Sequence, residues 1–264
     1  MMSFRTTAGS QSSSTDSAGS HSSALTVEES ATFRICKKRQ WRKLRRLLSK
    51  RNKQEICSEV DSSGLTLLGI AIGYQAPPEI IELIVTIKPS LVFQVDNFNA
   101  NCLHLACLNG ISIDSIKFLL LNGGSDLINQ SFDSDNRTPL HHSVECICRG
   151  EIAYKEGLQI IVEICNKEGC LMIHHEDRNG DTPIDMVILK INESSRYEQS
   201  QRFEHLLKYL RNISIGVYKS LKAAWEISGY CTTGHCIRII PLNVKSTKSK
   251  STQSTSSLSV KPME

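Results

Sequence analysis

Four times along this chain an aspartate is followed, three residues later, by glycine or asparagine. Two residues further on comes a threonine-like residue, then an aliphatic that looks buried. The blocks read D-S-S-G-L-T-L-L from Asp61, D-N-F-N-A-N-C-L from Asp96, D-S-D-N-R-T-P-L from Asp133 and D-R-N-G-D-T-P-I from Asp177. Gly64, Asn99, Asn136 and Gly180 share one slot, and Gly and Asn are the residues that best tolerate positive φ. The slot therefore predicts a tight turn. Thr66, Thr138 and Thr182 follow where a hydroxyl can cap a helix, and Pro139 and Pro183 take a first helical position, where a missing N–H costs nothing.

A second pattern follows each block: an apolar residue, then two more at i+3 and i+4. It appears as Ile80/Leu83/Ile84, Ile116/Leu119/Leu120, Ile161/Ile164/Cys165 and Phe203/Leu206/Leu207, and a fifth time as Leu44/Leu47/Leu48 before the first block. This is the stripe of a helix buried on one side. Each unit thus reads as turn, short helix, longer helix and returning loop. No such unit can bury its stripe alone, so the units must stack. A chain of 264 residues admits one or two domains; the repeats favour one array.

These residues resemble the ankyrin repeat. The unit from Asp96 carries His104, Ala106, Gly110, Leu119, Leu120 and Gly123-Gly124-Ser125-Asp126 in the family's order, and the unit from Asp133 carries Thr138-Pro139-Leu140-His141. The resemblance implies an all-α fold, an ankyrin-type α-solenoid of stacked helix pairs with short turn fingers between disordered N- and C-terminal tails. The expected organisation is a Ser-rich tail over 1–28 and repeats over 29–214, with a basic capping helix pair at 29–60 and units starting at 61, 96, 133 and 177. A capping helix and extension over 215–240 and a Ser/Thr/Lys tail over 241–264 complete it. The family's His slot holds Gly69 in one unit and Asp185 in another, so the hydrogen bonds that His makes between repeats are missing there. Spacings of 35, 37 and 44 residues between the aspartates exceed the roughly 33 of a regular unit, with insertions at 146–157 and 192–200.

Composition narrows the rest. Forty per cent of residues are apolar and 22% charged, too apolar for wholesale disorder. No run approaches 18 apolar residues, so no transmembrane segment is expected, and the N-terminus lacks a signal-type apolar core. An intracellular location, cytoplasmic or nuclear, is expected, with the ten cysteines read as thiols.

The resemblance implies a non-catalytic scaffold or adaptor, a monomer that binds a partner protein through its fingers and concave face. The candidate partner-binding residues are Tyr74, Asn97, Phe98, Asn109, Asp135, Arg137, Arg178 and Asn179, with Leu65, Leu108 and Glu145 in comparable outward slots. Phe98 has two readings, an exposed anchor at a finger tip or a ring folded onto the neighbouring finger.

Residues 34–53 hold eleven Lys/Arg and no acid; removing that +11 from the chain's +4 leaves −7 elsewhere. Lys37, Lys38, Arg39, Arg42, Lys43, Arg45 and Arg46 form the candidate basic patch. It reads either as the solvated face of a cap or as an electrostatic adaptor for nucleic acid, an anionic membrane or a calmodulin-like sensor, or as an import signal. Trp41 and Leu48 could anchor such a helix in a groove only if the fold leaves them free. Residues 215–229 read as a further amphipathic helix, either a cap or a partner-binding element. No catalytic residue, cofactor or metal site is assigned: P-loop, nucleotide-binding glycine, hydrolase and zincin motifs are missing, and Cys231, His235 and Cys236 lack an evident fourth zinc ligand.

Overall fold

The computed structural model describes residues 30–129, 132–166, 169–193 and 197–228. The chain divides into two units at Cys231/Thr232, and every described residue lies in the first. The expected tails at 1–28 and 241–264, and the cysteines and histidine at 231–236, lie outside the described residues.

Among the described residues the fold is helical and has no strand; two isolated antiparallel bridges, Val60 with Thr66 and Val95 with Asn101, close two of the turns. The helices are α1 (Ala31–Lys37), α2 (Trp41–Leu48), α3 (Lys53–Ile56), α4 (Leu67–Gly73), α5 (Pro78–Ile87), α6 (Cys102–Leu108), α7 (Ile113–Asn129), α8 (Pro139–Arg149), α9 (Tyr154–Asn166), α10 (Pro183–Glu193) and α11 (Tyr197–Ser228). Short 3-10 turns at Pro89–Phe93 and Gly169–His174 bury Leu91, Val92, Met172 and Ile173 beneath the returning chain.

The helices lie in two layers. α1, α4, α6, α8 and α10 pack each on the next; α2, α5, α7 and α9 do the same behind them, and each first helix also packs on the second helix of its own pair. Capping sets where the first helices begin. The Thr66, Thr138 and Thr182 hydroxyls accept the N–H of Gly69, His141 and Asp185, and Asn101 Oδ1 accepts those of Leu103 and His104. Pro139 and Pro183 open α8 and α10.

Apolar stripes fill the space between the layers. Leu44, Leu48, Ile80, Ile84, Ile116, Leu119, Leu120, Ile161, Ile164 and Leu206 are buried, as the spacing predicts. In α5 the face is turned slightly: Ile81 and Val85 complete it while Leu83 is only half-buried, because α5 meets both α4 and α7.

The insertion near 146–157, which could lie between the helices or lengthen them, lengthens α8 to 11 residues, against seven in α4 and α6, and α8 ends at Gly150 in left-handed conformation. Two features differ from the sequence reading. The stretch 123–126 is no open loop: Gly124 alone leaves helical geometry and α7 resumes to Asn129. Residues 215–228 are not a separate helix but continue the 32-residue α11 unbroken; the segment contains no proline, and one interior glycine such as Gly216 costs a helix only about 1 kcal/mol.

Gly64 illustrates how tightly the turns are set. Its φ is +75°, and a Cβ there would lie 2.6 Å from Asn97 Oδ1 and 3.0 Å from the Asn97 nitrogen. Gly180, at φ +83°, would meet nothing within 4 Å. Gly64→Ala is expected to cost about 2 kcal/mol or more and Gly180→Ala about 1 kcal/mol, the left-handed penalty alone. Urea denaturation of the two variants checks this, and equal losses would refute the contact.

Candidate partner-binding surface

The surface built by the turns follows from one carboxylate per turn. Oδ1 of Asp61 accepts the N–H of Ser63 and Leu65; Asp96 does the same for Phe98 and Ala100, Asp133 for Asp135 and Arg137, and Asp177 for Asn179 and Asp181, all at 2.8–3.1 Å. Gly64, Asn99, Asn136 and Gly180 close each turn with positive φ, their N–H bonded to the aspartate carbonyl. Sequence reasoning used this aspartate only as a marker of the repeat. Its presence at the head of all four blocks was the available sign that its side chain organises an Asx-type turn.

Adjacent turns are bonded to one another. The N–H of Asn97, Ser134 and Arg178 donate to the carbonyls of Ser63, Phe98 and Asp135. Asn99 Nδ2 donates to the Phe132 carbonyl and Asn136 Nδ2 to that of Glu176. Deeper in, the His104 and His141 rings reach the Arg137 and Asp181 carbonyls through Nε2, at 3.2 and 3.1 Å. Their Nδ1 atoms stay on the local caps Asn101 and Thr138. At Asp185 the carboxylate keeps the local half of that arrangement, accepting the Thr182 N–H and hydroxyl. At Gly69 nothing replaces it, and the space a side chain would take is bounded by Leu65 and Leu105.

The eight candidate residues divide by what already holds them. Arg137 is committed to the interior of the stack: Nε lies 3.3 Å from Asp177 and Nη1 3.1 Å from Glu145, which also pairs with Arg149. Asp135 and Arg178 come together as an ion pair at 3.4 Å, and Arg178 also donates to the Ser134 carbonyl. Asn97 Nδ2 donates to the Ser62 carbonyl. These four polar residues stitch neighbouring turns. Tyr74 and Asn109 cap the C-termini of α4 and α6 in matching positions, joined through Gln75 Nε2, which donates to the Asn109 carbonyl. Phe98 is half-buried at the tip of the second turn and Asn179 exposed at the tip of the fourth. Leu65 and Leu108, expected to point outward, are buried, because α4 and α6 close over them. A further aromatic pair went unread in the sequence: Phe132 stacks on His175 with ring centroids 3.9 Å apart.

Lys37, Lys38, Arg39, Arg42, Lys43, Arg45 and Arg46 are all exposed on α1, α2 and the turn between them. Leu44 and Leu48 are buried beneath them, Trp41 half-buried. Leu48 is thus spent on the fold and cannot anchor this helix in a partner's groove.

No family model matches the chain, and no curated protein matches it. What the surface can do must therefore be read from its own chemistry. Burial pushes the thiols of Cys36, Cys107 and Cys165 up to about 12 and that of Cys148 to about 11, so at neutral pH these groups pack as thiols rather than react as thiolates. His141 and His142 hold Asp181 and Asp133, which takes them out of any site with Cys146 and Cys148. Among the described residues no three His, Cys, Asp or Glu side chains converge as a metal site, and no helix is long and apolar enough to cross a membrane.

Proposed function

We propose that this chain is an ankyrin-type α-solenoid and acts as a non-catalytic scaffold or adaptor, a monomer of the cytoplasm or nucleus that grips one partner protein along its row of turns. The observation that carries the reading is the set of four aspartate-organised turns, each hydrogen-bonded to the next, which holds a line of tips at fixed spacing. A stack of this kind uses its repeat-defining residues to fold and leaves the intervening positions to recognition. Asn97, Asp135, Arg137 and Arg178 are occupied by stitching, so recognition is assigned first to Phe98 and Asn179 at the tips, with Tyr74 and Asn109 beside them at the helix ends. Phe98 is the proposed anchor, since aromatics contribute disproportionately to interface energy.

The test is cross-linked affinity capture from the native cell with the double variant Phe98→Ala, Tyr74→Ala beside the fourfold reversal of Arg42, Lys43, Arg45 and Arg46 to Glu. Recovery of the partner should fall at least about tenfold in the first and persist in the second. The reverse result would sink the reading in favour of the alternative, an electrostatic adaptor built on residues 34–53. That alternative is favoured by one observation of its own: the cations of that segment all face solvent.

A further inference from the structure

At the basic end of the fold, the start of α2 and the turn before it depart from local stability rules. α2 opens with Trp41, Arg42 and Lys43 and has no acid in its first turn, so cations face the positive end of the helix dipole. Arg42 and Arg46 are like charges one turn apart, and Arg42 and Arg45 share the same face, which further weakens an isolated helix. The α1–α2 turn puts Arg39 at φ +50°, in the left-handed region. The equivalent turns after α6 and α8 use Gly110 and Gly150, while the turn after α4 uses Gln75. The Gln75 side chain has an internal purpose, bonding the Asn109 carbonyl. Arg39 is exposed and, among the described residues, meets no carboxylate; the same holds for Lys38, Arg42, Lys43, Arg45 and Arg46. Glu55 and Glu59 are close in sequence, yet neither pairs with these six cations, and Glu59 accepts from Ser30. Local rules are broken where an outside requirement overrides them. Among the described residues these six cations have no carboxylate partner.

The geometry points to single-stranded nucleic acid as the counter-charge for these cations, and we propose that α1–α3 bind its phosphate backbone without regard to sequence. This rests on the electrostatic reading of residues 34–53 and is independent of protein recognition by the turns. Six of the eleven cations are arginine, whose planar fork matches phosphate oxygens. They lie on an exposed helix face and its two flanking turns, with no element shaped to enter a duplex groove, whereas a flexible strand can follow such a surface. Trp41 lies one helical turn from Arg45 and is half-exposed, which gives an unpaired base a ring to stack on beside the cations. An anionic bilayer suits the patch less well, because Phe33, Ile35, Leu44 and Leu48 are buried in the fold and leave only the half-exposed Trp41 and Leu47 as apolar contacts.

The experiment is fluorescence anisotropy of the full chain with a labelled 20-nucleotide oligo-U, titrated at several salt concentrations, beside sedimentation with vesicles of phosphatidylserine and phosphatidylcholine. About five phosphates neutralised would give a log–log salt slope between about −3 and −4 and a roughly hundredfold loss of affinity from 50 to 200 mM salt. The fourfold Glu reversal should abolish binding. Trp41→Ala should weaken it about tenfold at unchanged salt slope, the signature of lost stacking. Arg39→Gly should raise the melting temperature by relieving the left-handed backbone while weakening the oligonucleotide severalfold, an opposition that a purely structural arginine would not produce. Because these residues are exposed, circular dichroism should report intact folds; the Arg39→Gly result stands even if Trp41→Ala unfolds. Vesicle binding without oligonucleotide binding would overturn this proposal and leave the electrostatic reading in place. Absence of both would overturn the two together.

Discussion

Asp133→Ala is expected to remove about 3–5 kcal/mol of stability, enough to unfold a large share of a domain whose total is about 5–15 kcal/mol. Its side chain is buried and makes three contacts that no other group can supply. Oδ1 accepts the N–H of Asp135 and Arg137, and Oδ2 accepts from His142 Nε2 at 2.8 Å. Burial pushes the Asp133 carboxyl up, but the His142 contact and the backbone N–H of Arg137 outweigh it and hold the group below the usual carboxylate range. The variant leaves two turn N–H groups and a buried imidazole without an acceptor, and each such orphan costs about 1–3 kcal/mol.

Asp96 supplies the control. It occupies the same slot, but Leu105 stands where His142 stands in the next unit, and Asp96 Oδ2 is buried with no hydrogen-bond partner. Burial accordingly raises the Asp96 carboxyl above its ordinary value. Asp96→Asn keeps the Oδ1 bonds and removes an unpaired buried charge, so it should lie within about 1 kcal/mol of the parent. Chemical denaturation of both variants decides; a loss at Asp96→Asn as large as at Asp133→Ala would show that Asp96 Oδ2 is engaged in the fold and that the two slots do not differ.

Polar bonding is densest at one junction of the stack. Between the turns at Asp133 and Asp177 run the Arg178 and Asn136 bonds, the His141 bridge and two ion pairs. Between those at Asp96 and Asp133 there is the Ser134 bond, the Asn99 bond and the His104 bridge. Between those at Asp61 and Asp96, Gly69 offers no ring to bridge them, and the Asn97 backbone and side chain and the Gln75 side chain make the contacts.

Much of this was legible before any coordinates. Positive φ at Gly64, Asn99, Asn136 and Gly180, the three threonine caps and the buried stripes all followed from short-range rules that tertiary contacts merely reinforce. What was hidden depends on neighbours distant in sequence. Arg137 and Arg178 read as surface positions because nothing local says that Asp177 and Asp135 lie across the junction, 40 and 43 residues away. Leu65 and Leu108 occupy outward slots in a regular unit, and only the packing of α4 on α6 decides their burial. The long α11 was divided because its periodicity is judged window by window, while a helix without a breaker simply continues. The charge of residues 34–53 was plain in the sequence; that its cations all face solvent in the fold was not.

Acid should weaken the fold between pH 6.5 and 4, with His141 the principal cause. The ring is fully buried; burial is the largest influence on it, and the neighbouring His142 and Arg137 add to the depression while the Asp181 carbonyl and Asp177 oppose it, leaving its pKa at about 4. The bonding explains why a proton is unwelcome. Nδ1 accepts the Thr138 N–H at 3.1 Å, so the neutral ring with its hydrogen on Nε2, donated to the Asp181 carbonyl, satisfies both sides. An unfolded histidine takes up its proton near pH 6.5. Above that pH neither state is protonated and the fold keeps its full stability. Below it the unfolded chain gains a proton that the folded chain refuses, and stability falls by about 1.4 kcal/mol per pH unit until the folded ring itself protonates, about 3 kcal/mol in all. His174, depressed by burial, adds a change of the same sign, whereas the raised Asp96 works against it. The variant His141→Gln isolates the effect. At pH 7.5 it should be less stable than the parent by about 2 kcal/mol, having lost the bridge to Asp181. By pH 4.5 the difference should have closed, because the parent has lost what the variant never had. A gap that stays constant from pH 7.5 to 4.5 would show that His141 is not the group that makes this stack acid-sensitive.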